Sequence, residues 1–148
     1  MKKLLRSLLA VMLIAMMAVS FTSCGVAKNP DKAEKKLDKA GYEVMVIDDE
    51  ASLNYFAKMY DLEDGDIECI VRATKGDDEY VQIIYCANAK AAKAIYKEIK
   101  KEMKEYKEEI KDLEGDEKKE AKEALKDMKY GKSGKVVYSG SKKGVKAA

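Results

Sequence analysis

Apolar residues recur along this chain with two different spacings, and the spacing changes from one segment to the next. Four short segments are rich in β-branched and aromatic residues, with apolar sets on one or both faces of an extended chain, a pattern that favours strands. They are residues 42–47, 67–74, 80–86 and 135–139. Four others return an apolar residue every third or fourth position, the spacing of a helix with one buried face. They are residues 30–40, 48–60, 88–114 and 117–129.

The first helix is predicted to run from Pro30 to Ala40. Asn29 precedes it as a capping residue, and Gly41 follows as a residue that tolerates the left-handed conformation found at helix ends. Its apolar stripe of Ala33, Leu37 and Ala40 is thin. We therefore expect this helix to lie on the surface of the domain.

Residues 42–47 predict a central strand, because both of their alternating sets, Val44 with Val46 and Met45 with Ile47, are apolar. The helix that follows begins at a cap formed by Asp48 or Asp49. Its buried stripe is Leu53, Phe56, Ala57 and Tyr60.

The next two strands form a predicted hairpin around a loop at residues 76–78. A three-residue loop places Thr74 beside Tyr80 and puts the apolar set Ile67, Cys69, Val71, Ala73, Val81, Ile83 and Tyr85 on one face. In that register Cys69 and Cys86 face opposite sides of the sheet. They cannot then meet the geometry of a disulfide bond.

A long helix capped by Asn88 leads into a second helix after Gly115. The stripes Ala92, Ile95, Ile99, Met103, Tyr106, Ile110, Leu113 and Ala121, Leu125, Met128 predict a projecting, charged helical hairpin over residues 97–130. Residues 131–134 form a predicted turn. Residues 135–139 form the last strand, and Ser141 caps a short final helix.

After the first helix, the order of elements is β-α-β-β-α-β, which predicts an α+β fold with a ferredoxin-like antiparallel sheet. The additions to that plan are the extra N-terminal helix and the long helical hairpin before the last strand. One sheet face then carries a mixed set of side chains, a possible partner surface unless the N-terminal helix or the C-terminal segment covers it. Its members are Ile70, Arg72, Tyr80, Gln82 and Ile84.

The first 25 residues follow a different pattern. Lys2, Lys3 and Arg6 precede an uncharged, mostly apolar run from Leu8 to Val19, about the length of the apolar part of a signal peptide and short for a membrane span. Phe21-Thr22-Ser23-Cys24 then resembles the lipobox of bacterial lipoproteins, and the chain is similar to small lipoproteins of Gram-positive bacteria. Phe21 departs from that motif, which usually has an aliphatic residue there.

The resemblance implies cleavage of residues 1–23 as a signal peptide and diacylglycerol and palmitate attached at Cys24. Residues 24–29 would form the lipidated tether and residues 30–148 one domain on the extracytoplasmic face of the cell membrane. The alternatives are an ordinary secretory signal with an incidental Cys24 and an uncleaved anchor helix.

The charge balance and the amino-acid composition argue against several classes of function for this protein. Three of the 29 lysine and arginine residues lie in the leader, which leaves 26 against 27 acidic residues, a net charge of −1. This balance gives no reason to invoke a nucleic acid or an anionic membrane surface. The chain has no histidine, which excludes a Ser-His-Asp triad, a Cys-His pair and a histidine-ligated metal.

Two loops bear a partial likeness to ligand-binding motifs. The acidic residues 61–66 fail the EF-hand pattern, because Asp66 and Arg72 stand where glycine and glutamate are required. Gly131-Lys132-Ser133 fails as a phosphate-binding loop, because Lys126 replaces its first glycine and the order of strand and helix is reversed. The sequence therefore predicts no metal and no cofactor.

These observations favour a lipid-anchored binding or interaction module without catalytic machinery. Its contact surface would be the open sheet face or the helical hairpin, and its partner an unidentified protein. The alternative is a lipoprotein that binds a small ligand between sheet and helices for a membrane partner. A hydrolase that uses carboxylates is a third reading, which the residues support least.

Overall fold

The structure, a computed structural model, describes residues 26–148. Its helices are α1 (Pro30–Lys39), α2 (Glu50–Met59), α3 (Ala89–Asp112), α4 (Gly115–Asp127) and α5 (Lys142–Ala147). Its strands are β1 (Glu43–Ile47), β2 (Ile67–Lys75), β3 (Glu79–Cys86), β4 (Met128–Ser133) and β5 (Val136–Ser141). The predicted α+β class is confirmed.

The five strands form one antiparallel sheet in the order β1-β2-β3-β5-β4. This order differs from the ferredoxin-like plan, in which β1 lies at the centre. Here Ile47 pairs with Ile70 and Val44 with Ala73, so β2 begins at the end of the sheet where β1 stops. Residues 60–66 after α2 bring the chain back to that end, which makes direct antiparallel pairing of β1 and β2 possible.

β1 is consequently an edge strand, and the prediction of a central strand covered on both faces is wrong. Met45 is 60% exposed and Val46 37% exposed, although both are large and apolar. An apolar pattern on both faces of a strand is typical of a central position, but the pattern does not encode which neighbours a strand has.

The register of the predicted β2–β3 hairpin is confirmed from Cys69 to Lys75. A β-bulge between Ile67 and Cys69 places Ile67 in the cluster on the opposite face, so its predicted place beside Cys69 is wrong. Thr74 pairs with Tyr80, and Lys75 pairs with Glu79. Cys69 and Cys86 are both free and buried, and they belong to the hydrophobic clusters on opposite faces of the sheet.

The front face of the sheet, defined by Ile70, Ile84 and Val137, is covered by α2, α3 and α4. The predicted stripe of α3 is buried in this cluster throughout its length, from Ala92 to Ile110. Asn88 caps α3 by accepting a hydrogen bond from the backbone N–H of Ala91 at 2.8 Å. The long helix is therefore one wall of the front core.

The back face, defined by Val71, Val81 and Ile83, is covered by α1 and α5. As expected, α1 lies at the surface with its charged side chains exposed, and its thin apolar stripe is fully packed, since Ala33 and Leu37 are both 0% exposed. A stripe of two side chains is thin for a free helix. It suffices here because the back face of the sheet supplies the remaining apolar surface.

α5 packs close to β3 because two glycines remove the side chains that would stand between them. A Cβ on Gly140 or Gly144 would overlap the backbone carbonyl of Tyr80. Ser141 caps α5 as predicted, since its Oγ accepts a hydrogen bond from the N–H of Gly144 at 3.1 Å. The C-terminal segment is thus fixed to the middle of the sheet.

The segment after α4 departs from its prediction. The helix ends at Asp127, and Met128–Ser133 is a strand that pairs with β5 around a turn at Gly134, where φ is 60°. Met128 was predicted to belong to the apolar stripe of the helix. It is instead the first residue of β4, and its side chain is buried in the front core beneath α3. The hairpin of residues 97–130 is held to the fold, because Ile110 and Ala121 are buried in the same core.

Replacing Leu37 with alanine tests the back layer. Leu37 is fully buried, so Leu37→Ala should lower the free energy of unfolding by about 2–5 kcal/mol, the cost of an apolar cavity. Lys39→Ala, on the exposed side of the same helix, should change it by less than about 0.5 kcal/mol. Urea unfolding followed by circular dichroism gives both values. Equal small effects would contradict the packing of α1 on the sheet.

Candidate functional site

Cys24, the residue predicted to carry lipid, lies outside the described residues, but the point where the chain joins the fold is defined. Val26 is 4% exposed in the back core. Ala27 donates its N–H to the carbonyl of Ala148 at 3.2 Å and accepts a hydrogen bond from Tyr85 Oη at 2.8 Å. Val26 and Ala27, which the prediction counts within the tether of residues 24–29, are therefore in contact with the folded domain.

A second set of polar contacts ties the back layer together at the turn between β2 and β3. Tyr42 Oη donates to Glu79 Oε2 at 2.8 Å, and Lys143 Nζ donates to Glu79 Oε1 at 2.7 Å. Burial and the hydrogen bond to Glu79 raise the pKa of Tyr42 to about 12. The hydrogen bond from Lys143 lowers the pKa of the Glu79 carboxyl, so this carboxylate is charged at neutral pH. It joins β3 to α5 and to the chain before β1.

The five side chains predicted as a possible partner surface do share one face of the sheet, but they do not form an open face. Ile70 is 0% exposed and Ile84 2% exposed in the core beneath the front helices, and Tyr80 packs against that core. Gln82 is buried and accepts a hydrogen bond from Arg72 Nε at 2.7 Å. The two faces are assigned the other way round from the prediction: the main helices cover this mixed set, and α1 and α5 cover the more uniformly apolar one.

Arg72 is half-buried at the inner side of α2. Its guanidinium carbon lies 4.9 Å from the centre of the Phe56 ring, an arrangement that favours the cation. Burial lowers its pKa. Burial and the nearby Glu102 carboxylate raise the pKa of Tyr60 to about 12. These groups form a small polar region between α2 and α3.

Glu102 and Tyr106, both on α3, contribute polar atoms without a partner among residues 26–148. Glu102 Oε2 and Tyr106 Oη are both buried, and neither atom forms a hydrogen bond with another residue in this range. Burial raises the pKa of the Glu102 carboxyl and of the Tyr106 hydroxyl. A carboxyl whose pKa is raised by folding favours the folded state more as the pH falls.

The two cysteines of the fold are poorly suited to nucleophilic chemistry. Burial raises the pKa of the Cys86 thiol to about 12 and also raises that of Cys69. Both are therefore protonated at neutral pH, whereas a reactive cysteine needs a thiolate.

In the acidic loop at residues 61–66, the Asp66 carboxylate binds the backbone of the loop and the capping residue of α3. Asp66 Oδ1 accepts a hydrogen bond from Asn88 Nδ2 at 2.9 Å, and its Oδ2 accepts one from the N–H of Glu63 at 3.2 Å. Within residues 26–148, no three histidine, cysteine or acidic side chains are grouped as a metal site requires. In the same range, no helix combines the length and hydrophobicity needed to cross a bilayer.

The most accessible apolar surface lies on β1 and α2. Tyr55 is 66% exposed and Met59 43% exposed, one turn apart on α2, and Met45 is the most exposed apolar residue of β1. The Tyr55 and Phe56 rings lie edge to face with centres 6.0 Å apart. This surface was not predicted, because the apolar pattern of residues 42–47 placed β1 inside the sheet.

Comparison of the chain with models of protein families, with curated proteins and with solved structures gives no match. The function proposed below is therefore based on the predicted leader, the fold and its surfaces.

Two tyrosine-to-phenylalanine substitutions compare a hydroxyl that forms a hydrogen bond with one that is buried without a partner among residues 26–148. Tyr85→Phe should lower the free energy of unfolding by about 0.5–1.5 kcal/mol, because it removes the bond to Ala27. Tyr106→Phe should leave it unchanged or raise it, because its hydroxyl has no partner within residues 26–148. Urea unfolding of both variants measures the difference. A larger loss for Tyr106→Phe would contradict these assignments.

Proposed function

We propose that this protein is a lipid-anchored interaction module on the extracytoplasmic face of the cell membrane. Acyl chains on Cys24 hold it at the bilayer, and the folded domain binds another protein without a catalytic step. Two acyl chains suffice for stable anchoring, whereas one gives only marginal binding.

The leader is the observation that carries the anchoring part of the proposal. A basic start, an apolar run and a single cysteine after small residues occur in the order that lipoproteins use.

The exposed edge of β1 supports the interaction part of the proposal. The sheet has two edges, and they differ: β4 carries Lys129, Gly131 and Lys132, whereas β1 reads Glu-Val-Met-Val-Ile without lysine or proline. Lysine is the usual protection of an edge strand against pairing with another chain. We assign the β1 edge as the contact surface, and an extended segment of a partner protein as its occupant, added as a further antiparallel or parallel strand.

Core packing favours this function over the binding of a small ligand between sheet and helices. The region between β3 and α3 is occupied by Ile95, Ile99 and Met103, which are 0–2% exposed. The β1 edge, in contrast, presents backbone and apolar side chains at the surface.

Replacing the predicted lipid-bearing cysteine tests the anchor. Cys24→Ser should move the protein from the membrane fraction to the soluble fraction and remove the mass of the acyl chains, because serine lacks the thiol that is modified. Cell fractionation with intact-mass spectrometry measures both. Cys69→Ala serves as the control and should remain membrane-bound. A Cys24→Ser protein that stays on the membrane with unchanged mass would refute the lipoprotein assignment.

Crosslinking from the two edges of the sheet tests the contact surface. A photo-crosslinking amino acid at Met45 should join the chain to a different protein in intact cells, because position 45 lies on the unprotected edge. The same group at Lys132, on the β4 edge, should give no such product. Gel electrophoresis and mass spectrometry identify the products. Equal crosslinking at both positions, or products made only of this chain, would contradict the proposal.

A further inference from the structure

The two segments that cover the back face differ in charge from the rest of the fold. Residues 26–40 and 142–148 together carry eight lysines and three acidic side chains, a net charge of +5. Residues 41–141 carry 18 basic and 24 acidic side chains, a net charge of −6. The near-neutral total therefore results from two opposite charges, which the fold places in different parts of the domain.

The basic and acidic side chains of α1 lie on different sides of the helix. At about 3.6 residues per turn, its lysines fall on the outer ridge and one flank, and its acidic residues fall on the other flank. The lysines are Lys32, Lys35, Lys36 and Lys39, and the acidic residues are Asp31, Glu34 and Asp38. The acidic flank faces the start of β2, since Asp31 and Glu34 contribute to the raised pKa of Cys69.

The lysine flank of α1 faces α5, which adds Lys142, Lys143 and Lys146. Lys36 Nζ donates a hydrogen bond to the carbonyl of Ala148, just beyond α5, at 3.3 Å. We call the exposed lysines of α1 and α5, together with Lys28, the basic strip. Of these eight lysines, Lys143 alone forms a salt bridge within residues 26–148, with Glu79. The charge of the strip is therefore largely uncompensated by the fold.

The basic strip lies where the chain would leave the bilayer. Val26 and Ala27 are held beside Ala148, the residue whose carbonyl also binds Lys36. Cys24 is two residues before Val26, which limits the distance between their Cα atoms to about 7 Å. That distance is no greater than the Debye length of about 8 Å at physiological ionic strength. Acyl chains on Cys24 would therefore keep this end of the strip within electrostatic reach of the lipid headgroups.

We infer that the basic strip binds anionic phospholipid headgroups of the membrane that holds Cys24. The inference rests on the lipid anchor of the proposed function. An acyl anchor and a basic surface reinforce each other, because the anchor removes the cost of bringing the lysines to the bilayer. The back layer then faces the membrane, and the front layer of α2, α3 and α4, whose 13 basic and 12 acidic side chains nearly cancel, faces away from it.

Lysine labelling of the full, acylated protein in vesicles tests this orientation. One vesicle preparation contains phosphatidylglycerol mixed with phosphatidylcholine, and the other contains phosphatidylcholine alone. An amine-reactive reagent that does not cross bilayers should modify Lys35, Lys39 and Lys146 several-fold more slowly in the anionic vesicles. High salt should abolish that difference by screening. Lys93, Lys97 and Lys104, exposed on α3, should react equally in both preparations.

A charge-reversal variant and its matched control complete the test. Lys35→Glu, Lys39→Glu and Lys146→Glu in one protein should restore the labelling of Lys32 and Lys142 in anionic vesicles to the rate in neutral ones. Lys93→Glu, Lys97→Glu and Lys104→Glu change the net charge equally and should leave the protection of the strip intact. Loss of protection in both variants would show that overall charge, not the strip, is responsible and would overturn the inference.

The remaining outcomes separate the strip from the anchor. A protein that co-floats with both vesicles but whose strip labels equally in each overturns the inference and leaves the anchor standing. Protection in anionic vesicles that persists at high salt also overturns it, because headgroup attraction is screened. A protein that floats with neither vesicle and carries no lipid on Cys24 overturns the anchor, and the inference with it.

Discussion

The fold depends on one constraint: its sheet is apolar on both faces and must be covered twice. Ile83 and Ile84 are neighbours in β3, point to opposite faces, and are 0% and 2% exposed. Three helices from the middle of the chain cover the front face, and the two terminal segments cover the back face. The back core therefore contains side chains from both of these segments, and the N–H of Ala27 donates a hydrogen bond to the carbonyl of Ala148 between them.

This way of closing the fold has consequences for the surface. The back layer is built from residues 26–40 and 142–148, so Val26 and Ala148 lie on the same side of the sheet. Lysines that are far apart in the sequence, such as Lys36 and Lys146, come to share one surface there. The β1 edge has a separate cause. Since β1 pairs directly with β2, no strand of residues 26–148 lies on its other side, and Met45 and Val46 remain accessible.

Local features of the fold were predictable because their causes are local. Asn29 and Asn88 cap helices through bonds to the N–H three residues later, and a three-residue loop fixes Thr74 opposite Tyr80. The order of the strands was not predictable in this way, because the apolar pattern of β1 does not specify which strands pair with it. Met128 illustrates the same limit. It continues the apolar spacing of α4, yet it is the first residue of β4, since β5 offers its backbone a partner.

The sequence by itself predicted a lipoprotein leader that ends at Cys24, and it determined the absence of histidine, the α+β class and the opposite orientations of Cys69 and Cys86. These follow from composition and from spacings of a few residues. Only the tertiary structure decided which face each helix covers and which strands are edges, because both depend on contacts between distant segments. The tertiary structure placed Ile70 and Ile84 in the core and Met45 at the surface. It also divided the net charge of −1 after residue 23 between the back-layer segments, at +5, and the rest of the domain, at −6.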